Sequence, residues 1–243
     1  MKKAIGYVYV IAAAVCWGFL GLFNRVLTAA GVSLLNMMPL RFGGTAILFT
    51  VFCMMFKQQV FHIKLRHLPI FLGSGLISML LVLCGCALVS GIVGSDVGIS
   101  LEGLLMGLAS ELCYGGYTIF THYGMRYCDS FTMAYWTFLI ARIASLFLAD
   151  GPALLSALAE PRTGLAALGL MVMGTALPFT LYTKGLETVE SGKAAIIANI
   201  EPVMSAVIGV TVFQETLGLW TLVGIVLVLS GVVVLACEKE PDK

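Results

Sequence analysis

Two kinds of residue in this chain have the chemistry to bind or move a small solute. They are ionisable side chains lodged inside apolar runs, and prolines that interrupt the helices such runs form. Glu111, Arg142 and Glu201 each sit in a stretch otherwise rich in Leu, Ala, Ile, Val and aromatic residues. An ionised group in hydrocarbon is costly enough that it must face a bundle interior, find a partner or meet a substrate. For Glu111 and Arg142 the simplest reading is a mutual ion pair, with direct substrate contact as the alternative. Glu201 precedes Pro202 in mid-stretch. Proline has no N–H to donate, so it opens the carbonyl four residues back, here Ala198, to a substrate, a hydroxyl or water. Pro178 does the same for Gly174, with Thr175 and Thr180 near enough to satisfy the backbone. A simple packing kink is the alternative at both prolines. Asn199, beside the second break, joins the candidate set. Trp17, Tyr114, Tyr117 and Trp136 are candidates to line a cavity, although rings at helical spacing also serve as plain packing. Arg25 and Arg41 lie toward the ends of their stretches, where long side chains reach the interface and anchor there. Glu215 falls in a turn and reads as a helix-start or loop contact.

Other chemistries find no pattern to support them. There is no Gly-x-Ser-x-Gly, no His-Glu-x-x-His and no glycine-rich phosphate loop, so an enzyme is not expected. The three histidines, His62, His67 and His122, fall between the apolar runs. The seven cysteines lie mostly inside apolar runs without the spacing of a zinc site. The closest pair, Cys84-Gly85-Cys86, reads better as small apolar residues than as ligands. No metal and no cofactor is expected. A net charge of +1 without a basic stripe argues against a nucleic-acid partner, and no ring-forming charged filter points to a channel.

The elements that must position these residues follow from composition. Apolar residues make up 60% of the chain and charged ones 11%, with a mean hydropathy of +1.01. A water-soluble domain sits near half apolar and a quarter charged; here the lipid bilayer must be the solvent. Eight stretches are long enough to cross it, at roughly 5–28, 36–57, 68–93, 100–121, 131–149, 164–184, 193–213 and 217–237. Residues 150–163 form a loop with a short surface helix. Lys2 and Lys3 before the first run imitate a signal peptide, but the run is long enough to span and reads as a retained helix. With the N-terminus inside, the inner loops collect Lys57, Lys64, Arg66, Arg126, Lys184 and Lys193, whereas the outer loops hold Arg162. That asymmetry predicts both termini in the cytoplasm.

The chain also resembles itself. Ala12, Cys16, Gly18, Phe23 and Ser33 recur as Ala109, Cys113, Gly115, Phe120 and Ser130, each 97 positions later (113 − 16). Later the offset changes: Leu81-Val82-Leu83-Cys84-Gly85 matches Leu227-Val228-Leu229-Ser230-Gly231, 146 positions on (231 − 85). The first copy is thus shorter by about 49 residues (146 − 97), or roughly two membrane helices at about 1.5 Å rise per residue. Residues 1–95 form a truncated repeat of three spans, and residues 96–243 a full repeat of five. Odd numbers of spans run the two copies in opposite directions, an inverted repeat typical of secondary transporters. The third stretch then reads as a splice between Leu80 and Leu81.

The opening Cys16-Trp17-Gly18 with Arg25 and Pro39-Leu40-Arg41-Phe42 resembles that of EamA-type members of the drug/metabolite transporter superfamily. Gly174-Thr175-Ala176-Leu177 to Tyr182 and Gly185-Leu186 is similar to the C-terminal unit of that family. So is Ala194-Ala195 with Glu201-Pro202, Glu215 and Gly224 to Gly231. The resemblance implies ten helices in two inverted five-helix units and export of amino acids, other metabolites or drugs across the bacterial inner membrane. The expected class is therefore an all-α polytopic membrane protein of about eight spans (3 + 5). Its partners are a small-molecule substrate and the lipid bilayer, with a homodimer as one way to replace the missing wall. A transport-inactive, internally deleted remnant or a membrane interaction protein is the alternative. A shortened first unit also predicts a lopsided bundle with a groove on the first-unit side.

Overall fold

Each of the eight apolar stretches carries helix, the element that satisfies its own backbone N–H and C=O groups where no water is present. A computed structural model describes residues 2–61, 63–64, 67–89, 101–145 and 150–237; the side chains of 81–89, of Glu111 and of some other positions lie outside the description. Helices α1 (Lys2–Gly18) and α2 (Leu20–Ala29) are followed by α3 (Leu34–Phe56), a 3-10 turn (Gln58–Phe61) and α4 (Leu68–Val89). Then come α5 (Leu101–Gly124), α6 (Ser130–Ser145) and the short α7 (Gly151–Leu158), the short helix expected within 150–163. The chain continues through α8 (Pro161–Met171), a π turn (Val172–Ala176), α9 (Leu177–Gly185), α10 (Ser191–Ala198), α11 (Ile200–Phe213) and α12 (Leu219–Cys237). Among the described residues there is no strand, and the protein is an all-α polytopic membrane protein.

Four helical segments are long and apolar enough to cross a bilayer: Ala4–Ala29, Asn36–Phe56, Pro161–Gly185 and Ser191–Phe213. They have 26, 21, 25 and 23 residues, enough at about 1.5 Å per residue to pass a core about 30 Å thick. Helices α4, α5, α6 and α12 occupy the other four stretches. The residues that terminate the helices gather at two levels. At one end Lys57 pairs with Asp129 at 3.4 Å, the His67 and Tyr127 rings stack at 4.5 Å, and Lys184 pairs with Glu187 at 2.6 Å. This basic end joins the close of α3, α5 and α9 to the start of α4 and α6. At the opposite end Arg25 forms an ion pair with Glu215, and the Asp150 N–H donates to the Asn36 side-chain oxygen at 2.8 Å.

Local chemistry sets these ends. Gly31 closes α2 with φ 83°, a conformation glycine adopts freely. Ser33 then caps α3 by accepting the Asn36 N–H at 3.2 Å. Asp129 caps α6 in the same way, accepting the Thr132 N–H at 3.3 Å and the Thr132 hydroxyl. Pro161 begins α8, where a missing N–H leaves no bond unmade.

The sequence pattern 5–28 predicts one continuous helix, and the structure interrupts it. The Phe19 N–H bonds back three residues to the Cys16 carbonyl at 3.1 Å instead of four. Gly18, just before, lies so close to α11 that any Cβ there would collide with Met204. A tight turn beside a close helix contact explains the kink. Between α1 and α9 the approach is also close: a Cβ on Gly185 would stand 3.0 Å from the Gly6 carbonyl oxygen and 2.5 Å from Val10 Cγ2. Small residues permit such contacts, and in lipid close packing is what holds helices together.

Candidate functional site

Three helical segments of the bundle are interrupted. The first break, between α1 and α2, carries Trp17 beside it. The second is the π turn with Pro178 just after it. The third is at Asn199, where the Asn199 N–H again bonds back three residues, to Ile196 at 3.2 Å, and helix resumes as α11. Pro202 stands in the first turn of α11, so its missing N–H is tolerated. Gly18, at the first break, packs on Met204 and Ser205 of α11, more than a turn past the third break.

Aromatic rings fill the space between these breaks. The Trp17 ring centroid lies 5.2 Å from Phe179, 5.4 Å from Tyr182 and 6.3 Å from Tyr114. Tyr117 and Phe138 approach Phe179 edge-on at 5.4 and 5.1 Å, the geometry that places a positive ring edge against a negative face. Trp17 is 4% exposed, Tyr117 1% and Tyr182 0%, so the centre is closed. The Tyr182 hydroxyl bonds to the Thr118 hydroxyl at 3.1 Å, and Thr118 donates to the Tyr114 carbonyl at 3.0 Å. The Tyr114 hydroxyl is buried facing Tyr182 without forming a well-made bond to it. Glu201 lies within electrostatic reach of that hydroxyl.

The second break is clamped by α3. The Gly174 carbonyl, opened by Pro178, accepts from Arg41 Nη2 at 3.3 Å, and Arg41 Nε donates to the Thr175 hydroxyl at 2.9 Å. Thr175 in turn donates to the Leu170 carbonyl at 2.9 Å, Thr180 to Ala176 at 2.6 Å and Thr45 of α3 to Met171 at 3.1 Å. Thr175 and Thr180 thus satisfy the backbone as their spacing predicts. Arg41, however, is no surface anchor. It points inward because an open carbonyl and a hydroxyl solvate a guanidinium better than lipid does. Arg25, paired with Glu215 and 4.4 Å over the Phe213 ring, does sit at an end of the bundle, and Glu215 is the expected loop contact.

The remaining candidates fall in different places. Arg142 packs its guanidinium against Gly43 of α3, one helical turn beyond Phe138. The expected Glu111–Arg142 pair lies outside the described residues, because the Glu111 side chain does; so do the side chains of Cys84 and Cys86, while α4 runs as one helix through the proposed splice at Leu80–Leu81. Trp136 stands apart from the central rings: its indole N–H donates to the Val60 carbonyl at 2.9 Å and holds the 3-10 turn at the basic end. Asn199 is exposed, its side chain bonded to the Ala195 carbonyl at 3.2 Å. Sequence reasoning missed Phe179 and Phe138 as part of the centre. The signal for Phe179 was present, since with Tyr182 it forms an i, i+3 face directly after Pro178.

Apolar helices interrupted beside aromatic and ionisable side chains are an arrangement that recurs in membrane transporters. The EamA-like transporter family model matches residues 101–237, and the chain belongs to that family. An uncharacterized transporter of Archaeoglobus fulgidus is 41% identical over 68 residues, 28% of this chain and 25% of that protein. The uncharacterized transporter YwfM of Bacillus subtilis is 26% identical over 174 residues, 70% of this chain and 57% of its own length. The uncharacterized inner membrane transporter YicL of Salmonella typhimurium is 33% identical over 76 residues, 31% of this chain and 25% of that protein. The chain therefore matches less than two thirds of the length of each of these relatives.

Proposed function

We propose that this membrane transporter exports a small metabolite, amino acid or drug across the bacterial inner membrane by alternating access, with both termini in the cytoplasm. The observation that carries this reading is the packing of Trp17 and Tyr182, each beside a helix break, around Tyr114, with Glu201 from just past a third break in electrostatic reach. Broken helices place backbone dipoles and open carbonyls at a substrate, and they give a packed bundle points at which to bend. The rings act as the gate. They close the centre completely, so a substrate enters when Trp17 and Phe179 part. Tyr114 and Glu201 supply polar contacts there, Tyr117 forms the floor, and Arg142 extends the site toward α3, with Glu111 a further member on the strength of its place in the sequence. Pro178 and Pro202 mark the hinges, while Trp136 and Asn199 act from the margins. No metal or cofactor takes part.

Two further observations support an inverted repeat of residues 1–95 and 96–243. The turn after α2 lies at the end opposite the turn after α5. The equivalent residues Trp17 and Tyr114 face each other at 6.3 Å.

The test is transport in proteoliposomes against a panel of amino acids and cationic drugs. Glu111→Gln and Glu201→Gln should alter transport more than Glu215→Gln, which sits at the bundle end. Equal or reversed effects move the site elsewhere. A second reading, a transport-inactive remnant or interaction protein, is favoured by one observation. Helix α12 packs chiefly on α10 and α11 and leaves Leu219 74%, Val226 65% and Leu227 65% exposed. Loss of all transport in a folded wild-type protein would select it.

A further inference from the structure

Away from the aromatic centre, the basic end opens into a bowl of about 460 Å³ between the start of α4, the start of α6 and the turns that precede them, within the range of small-molecule sites, roughly 300–1,000 Å³. Lys64, His67 and Arg126 stand around it, with Phe71 and Thr132 at its floor. Its carboxylate, Asp129, is already engaged by Lys57, by the Thr132 hydroxyl and by the first turn of α6. Lys64 and Arg126 have no carboxylate partner among the described residues. The cations are not loose. Arg126 lies 5.3 Å over the Tyr123 ring, Tyr123 and Tyr127 share a hydroxyl hydrogen bond of 3.0 Å, and the Tyr127 ring backs His67.

We propose that this bowl is a binding site for a phosphate-bearing anion. A guanidinium offers phosphate two parallel N–H donors and an ammonium adds a point charge, and with Asp129 engaged by Lys57 and Thr132 the remaining charge of the rim is positive and disfavours metal ions and amines. The half-apolar floor accepts a glycerol or acyl portion beside the phosphate. Basic pockets between helices at a membrane surface hold anionic headgroups by these same forces. The site is independent of the aromatic centre and of whether the chain transports anything.

Native mass spectrometry of the full chain in neutral detergent, with phosphatidylglycerol or phosphatidylcholine added, tests it, alongside thermal unfolding with inorganic phosphate. Wild type should retain phosphatidylglycerol preferentially. Lys64→Gln with Arg126→Gln should weaken that retention by roughly tenfold or more, and each single change should weaken it partly. Both residues are exposed, so helicity by circular dichroism should be unchanged. If inorganic phosphate stabilises wild type but not the double variant, and lipid is not retained preferentially, the site takes a free phosphate compound. The proposal is overturned if neither ligand distinguishes the double variant from wild type, or if Lys184→Gln causes the same loss.

Discussion

At the scale of single residues, the centre and the basic end respond to different tests. Truncating Trp17, which touches three other rings, should destabilise the protein by about 3–5 kcal/mol. Tyr182→Phe removes one hydrogen bond to Thr118 and should cost about 0.5–1.5 kcal/mol. Thermal unfolding in detergent ranks the two, and a larger loss for Tyr182→Phe would mean that the polar network, not ring packing, holds the centre. Acid acts at the basic end. Burial disfavours the Asp129 carboxylate, yet the Thr132 hydrogen bonds and Lys57 outweigh it and hold the group below its usual range. Glu187 is lowered similarly, with burial offset by Lys184 and Ser130. Groups depressed in the folded state add stability above their unfolded pKa, about 4, and lose it as pH falls through the folded value. Asp129→Asn with Glu187→Gln should therefore flatten the loss of stability below about pH 4. An unchanged acid limb would assign the loss to other groups.

At the scale of helices, the clamp of α3 on the π turn is the most testable feature. Arg41→Met strands the Gly174 carbonyl and should lower stability by about 1–3 kcal/mol, whereas Arg41→Lys should restore part of it. If Arg41→Met is neutral, the π turn is held by its own threonines. This element also marks what a sequence discloses. Pro178, Thr175 and Thr180 are adjacent in the chain, and their local bonds follow from spacing alone. Arg41 stands 133 positions before Gly174, and nothing local reveals that its guanidinium turns inward. The break at Asn199 was legible from Pro202, a residue that cannot donate. The break at Phe19 was not, because it depends on Gly18 pressing against Met204, a contact between distant segments. The aromatic centre was half legible for the same reason: Trp17 and Tyr114 are paired by the repeat, while Phe138 joins them through tertiary packing.

At the scale of the whole molecule, the alternating ends of the helices predict which loops face which compartment. Reporter fusions at residues 60 and 156 should report inside and outside respectively, and the same side for both would refute the arrangement. The exposure of α12 bears on the shortened first repeat. Inserting a two-helix segment of about 49 residues between Leu80 and Leu81 should raise the unfolding temperature and increase export if that repeat has lost a wall. If the unextended chain equals the extended one as a monomer in both assays, eight spans are its native design.

The contact between Gly6 and Gly185 also sets a timetable. Once made, α1 finds its groove on α9, 179 residues later (185 − 6). At roughly 5–20 residues per second, synthesis of that interval takes about 10–40 s. Throughout it Val10, Ala13 and Trp17 must wait in lipid, or against the insertion machinery, with no native partner from α9, α10 or α11. The packing of α1 on α9 to α11 therefore closes late, after α3 to α6, which pack on one another without α9, and a chain stopped before α9 leaves most of the first helix's groove unmade.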